Sequence, residues 1–185
     1  MLQEFLEKYG VHIYSRWREL VLETYPGRAA ETFKREKDGI ANPVGSNISE
    51  ALQKIFDRLV DKSDDFEEPL EEIIKIRAIQ NFTASGAVGF VFLLKQAIRE
   101  ELIKRKQDPA IVTELLEFEP RIDRMSLLAF DLYMRRREMV YDMKAGEIRK
   151  RSRLILERAN LELNLSCSGQ VPENGGQDGR GDDER

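Results

Sequence analysis

Histidine and cysteine are nearly missing from this chain: one of each stands among its 185 residues, His12 and Cys167. A disulfide framework needs cysteine pairs and a thiolate metal centre needs several, so both are excluded. A zinc site made of imidazoles, or a di-iron bundle with Glu-x-x-His on each of two helices, needs more than one histidine. A Cys–His nucleophile pair would have to join His12 to Cys167 in the tail. Walker and Gly-x-Gly-x-x-Gly phosphate loops are also missing; Gly86 and Gly89 lie inside a helical pattern, where they are expected to permit close packing. The longest apolar run, Ala87 to Leu94, stops at Lys95 and falls well short of the roughly 20 residues that span a bilayer. Met1 to Glu7 carry none of the parts of a signal peptide. Nor is there an excess of positive charge. With 30 basic and 34 acidic residues the net charge is -4, which gives no overall attraction to nucleic acid or anionic lipid. The local basic cluster of Arg149, Lys150, Arg151 and Arg153, beside Glu147 and Glu157, reads as a solvated helical face. These absences predict a soluble, cytoplasmic chain without cofactor or metal, and favour a non-enzymatic one.

What the chain does have is helical periodicity, with no alternating strand pattern. Leu2 to Tyr25 carries Val11, Tyr14, Val21 and Leu22 at helical spacing with Gly10 as an interruption, which predicts a short helix and then a longer one. Tyr25-Pro26-Gly27 ends it. A short helix is expected over Ala29 to Lys37 and a turn over Gly39 to Gly45. Ser46 then reads as the N-cap of a helix burying Ile48, Leu52, Ile55 and Leu59. Pro69 suits the first turn of a helix whose stripe is Leu70, Ile73, Ile74 and Ala78. Its Glu67, Glu68, Glu71 and Glu72 match the positive end of the helix dipole and need no catalytic role. Thr83 is expected to cap one helix running to Arg105, apolar almost all round and so central, with Phe90 and Phe92 in the core.

Asp108-Pro109 opens the next helix, and Pro120 is expected to break or kink it. From there to Lys144 two stripes run side by side: Ile122, Met125, Ala129, Leu132, Tyr133 and Val140, and then Leu127, Phe130, Met134 and Tyr141. A last helix is expected from Gly146 to Asn164. Beyond it the residues are glycine-rich and acidic and cannot offset their own ordering entropy. The reading is an all-α, single compact multi-helix domain over 1–164 with long C-terminal helices, and a disordered acidic tail over 165–185.

Two cations fall within apolar stripes, Arg77 and Lys95, where an unpaired charge is costly. Each is expected either to form a buried ion pair with a carboxylate such as Asp131 or Asp123, or to head a pocket for an anionic or apolar metabolite. One core cannot cover both stripes of the long helix, so Leu127, Phe130, Met134 and Tyr141 predict a homodimer interface. Three functions stay open: a regulatory domain working through a partner protein, a small-ligand binder, and an enzyme using carboxylates in a helical cleft.

The run from Ile76 to Lys95, IRAIQNFTASGAVGFVFLLK, resembles the signature of the RsbRD N-terminal domain family, named for RsbT co-antagonist proteins of bacterial stress signalling. Trp17, the turn with Asn42, Pro43 and Gly45, and the charged stretch Tyr133 to Glu138 add to the likeness, as do Arg77, Gln80, Phe82, Phe90 and Lys95 inside the run. It covers roughly Leu2 to Glu157. The resemblance implies a sensory input domain of bacterial signal transduction, related to the dimeric, non-haem, globin-like domains of stressosome proteins. Many members continue into a STAS or kinase output domain, and here a tail follows instead. Haem is not expected on the residues either, since a globin needs a proximal histidine on a later helix and His12 lies on the first.

Overall fold

The structure, a computed structural model, describes residues 1–25, 43–80, 82–106 and 108–168. These form six helices and no strand: α1 (Leu2–Glu23), α2 (Pro43–Val60), α3 (Glu67–Ile79), α4 (Ala84–Val88), α5 (Phe92–Lys104) and α6 (Ala110–Ser168). Contacts divide the chain into two compact units, Met1–Tyr141 and Asp142–Arg185, with α6 running across the boundary. Among the described residues no helix is long and apolar enough to cross a membrane. The expected helix over Ala29 to Lys37, Asn42 of the turn and the end of the tail lie outside the described residues.

In the first unit α1 packs on α2 and α5, and α3 packs on α2 and α4. The stripe expected on α2 is wholly buried at Ile48, Leu52, Ile55 and Leu59, and so are Leu70, Ile73 and Ile74 of α3. α6 contributes Ile122, Met125, Ala129, Leu132 and Tyr133 to the same core. Apolar burial on this scale is the main favourable term in folding.

Several local expectations are corrected. Gly10 does not interrupt α1: a Cβ there would stand 3.0 Å from the Phe56 ring, so the glycine lets α2 approach an unbroken helix. Ser46 is no N-cap, because α2 already begins at Pro43. The helix expected from Ala84 to Arg105 is broken at 89–91. There the backbone bonds tighten to three-residue steps, Val91 to Val88 and Phe92 to Gly89, both 3.1 Å. The break turns the Phe90 carbonyl toward the indole of Trp17, which donates to it at 2.7 Å. Pro120 breaks nothing, and no second helix starts at Gly146, since α6 is continuous through both. The carbonyl that Pro120 cannot serve is that of Leu116, and both residues are exposed, so water can satisfy it.

Candidate functional site

Arg77 is wholly buried, yet no carboxylate lies within ion-pair distance of it among the described residues. Its Nε donates to the Tyr25 hydroxyl at 3.1 Å, Nη1 to the Gly86 carbonyl at 2.9 Å and Nη2 to Thr24 Oγ1 at 2.9 Å. The guanidinium carbon lies 4.8 Å from the centre of the Tyr25 ring and 4.9 Å from those of Phe82 and Phe90. Three ring faces and three neutral acceptors thus stand in for a counter-ion. Burial pushes the guanidinium below its ordinary value, with Tyr25 opposing; burial also raises the Tyr25 phenol, with Arg77 opposing. The expected pairing of Arg77 with Asp131 does not form, because Asp131 is exposed on α6.

This cluster gathers the end of α1, the loop before α4 and the break before α5. Thr83 caps α4 by accepting from the Gly86 amide at 3.1 Å, which aims the Gly86 carbonyl at Arg77. Tyr133 of α6 donates to the Phe82 carbonyl at 2.6 Å and so holds one wall of the cage. Tyr133→Phe should cost about 1 kcal/mol, one net hydrogen bond, and lower the melting temperature by about 2–4 °C. An unchanged thermal transition would mean that Tyr133 does not hold Phe82.

Lys95 is a member of a different cluster. Its Nζ lies 2.7 Å from Asp123 and 3.5 Å from Glu119. Arg99, one turn further along α5, donates to both oxygens of the buried Glu119, at 2.8 and 2.7 Å. Cations four apart on α5 therefore meet carboxylates four apart on α6, straddling Pro120. Glu119 escaped the sequence reading, since only the pairing of α5 with α6 shows that it is buried.

Of the other residues in the resemblance, Trp17 is buried and stacks on Phe90 with ring centres 6.5 Å apart. Gly45 is buried in the first turn of α2, which Pro43 opens, and its carbonyl accepts from Ser49. Gln80 is the exposed C-cap of α3. His12 is exposed beside a charged groove of about 570 Å³ between α1 and α5. Arg16 spans that groove to Glu100 on α5 and pairs with Glu19 one turn along α1. Its hydrogen bonds raise its own pKa, and its bond to Glu100 holds that carboxyl below the usual range.

The second stripe of α6 faces outward. Leu127 is 68% exposed, Phe130 43%, Met134 41% and Tyr141 56%. Phe92, expected in the core, is 50% exposed and joins the stripe, because the break at 89–91 turns α5 at that point. Phe92, Leu127, Phe130, Val88 and Gly89 line an apolar groove of about 440 Å³. Arginines fasten the far edge of the stripe to α3: Arg135 to Glu67 at 3.0 Å, Arg136 to Glu71, and Arg137 to the Ala78 carbonyl.

Comparison with curated proteins and with solved structures gives no match. A family model, that of the RsbT co-antagonist protein rsbRD N-terminal domain, matches residues 12–147. That span takes in the Arg77 cage, the Lys95 cluster and the outward stripe. The chain therefore belongs to the RsbRD N-terminal domain family.

Proposed function

We propose that this chain is a non-catalytic, stressosome-related signalling domain that works through protein contacts and self-associates through the stripe of Leu127, Phe130, Met134 and Tyr141. The observation that carries this reading is the exposure of that stripe together with Phe92, on a unit whose core is already complete without them. A contiguous apolar patch rimmed by charge is the mark of a contact surface. The reading as a small-ligand binder loses its anchor residues. Arg77 is enclosed by its own contacts, and Lys95 is held by two carboxylates. The test takes two measurements on the full chain. Light scattering at micromolar concentration should give about 43 kDa, twice the 21.5 kDa chain. A panel of metabolites and fatty acids should leave the melting temperature within about 1 °C, since only a ligand that binds the native state raises it. A monomer whose melting temperature rises with one compound of the panel overturns the reading.

A further inference from the structure

In the second unit, Ala145, Ile148, Ser152, Ile155 and Ala159 follow one another at spacings of three, four, three and four. That spacing sets them along one stripe of α6, the seam of a helix that pairs with another helix. Ile148 is 64% and Ile155 66% exposed. On one side the seam is bordered by Lys144, Arg151 and Arg158, seven apart; on the other by Arg149 between Asp142 and Leu156. Between Asp142 and Asn160 stand six basic residues and three acidic ones, a local charge of +3 in a chain of net -4. Two of those acids are engaged along the helix itself, Glu147 with Arg151 and Glu157 with Arg153, at 2.6 and 2.7 Å.

We propose that this face of α6 docks an amphipathic helix of another protein whose flanks carry glutamate or aspartate. The proposal rests on the reading of the chain as a protein-contact module and names the chemistry of its partner. Charge disfavours a second copy of the chain. In a parallel pair Lys144 would face Arg149 of the copy, and in an antiparallel pair the rows Lys144, Arg151 and Arg158 would face each other. Like charges across a seam set partner choice by repulsion, and acidic flanks remove that repulsion. A membrane surface fits less well. Interfacial helices bury bulky apolar side chains, whereas this seam alternates isoleucine with alanine and serine.

The probe is a synthetic helical peptide of four heptads with leucine at both core positions and glutamate on both flanks, beside the same peptide with lysine flanks. Titrated against the full chain and followed by anisotropy, the glutamate peptide should bind at least about tenfold more tightly, with an advantage that shrinks as salt rises. Ile148→Gln with Ile155→Gln, which keeps helix propensity, should abolish that binding and leave the mass of the chain unchanged. Lys144→Glu with Arg151→Glu and Arg158→Glu should reverse the preference toward the lysine peptide. Equal affinity for the two peptides, or no binding of the glutamate peptide at about 100 μM, overturns the proposal, since a complementary helix should bind well below that. So does binding that survives the glutamine pair, which would mark a general attraction for polyanions, nucleic acid and anionic vesicles included. If the glutamine pair instead halves the mass, the seam belongs to a second copy, which overturns the acidic partner and leaves self-association standing. A wild-type chain that is monomeric yet binds the glutamate peptide would remove the dimer and keep the partner.

Discussion

Arg77→Lys should destabilise the domain more than Arg77→Met, an inversion of the usual order in which the charge-conserving change is the milder one. Lysine keeps the cost of holding a charge out of water. It loses the planar fork that reaches Tyr25, Gly86 and Thr24 at once, and its ammonium is more strongly hydrated than a guanidinium. Methionine gives up the contacts with three rings and leaves the Gly86 carbonyl short of a donor, but it also removes the buried charge. The methionine variant should therefore lose up to about 2 kcal/mol and the lysine variant about 3 kcal/mol or more, within the range for spoiling a buried charged group. In thermal unfolding that separates them by several degrees, at about 2–4 °C per kcal/mol. The cage is wrong as described if lysine is tolerated within about 0.5 kcal/mol, the usual surface value.

The helical class could be read from spacing alone, and so could the buried faces of α2, α3 and the first stripe of α6, because a three-and-four period marks the core side of a helix wherever it packs. Arg77 stood out for the same reason: a charge in an apolar stripe contradicts its surroundings. Its partners did not: Phe82 and Gly86 follow within nine residues but beyond the end of α3, and Tyr25 and Thr24 stand more than fifty residues earlier and reach it only in the folded chain. The misreadings at Gly10, Pro120 and Phe92 share a cause. Glycine and proline act locally as breakers, but Phe56 packs over the one and open solvent serves the carbonyl left by the other. For Phe92 the break in the helix goes with a distant partner, since the Phe90 carbonyl freed from the helical ladder is taken up by the indole of Trp17, which local spacing does not reveal.

Phe130→Glu together with Met134→Glu should yield a folded chain of half the wild-type mass, 21.5 kDa by light scattering, with its far-UV helicity retained. Neither side chain belongs to the core of its own subunit: Phe130 is 43% and Met134 41% exposed, whereas Met125 and Ala129 behind them are sealed. A two-fold axis doubles every substitution in the contact, so two glutamates per chain place four carboxylates in one apolar interface. Their desolvation outweighs what a stripe of this length contributes. Phe92→Glu should act in the same way, which separates this interface from one made by α6 alone. If the double variant unfolds or turns molten, the stripe is packed within its own chain. If it remains folded at twice the chain mass, the subunits meet on another face, and the groove between Phe92 and Phe130 then has a different occupant.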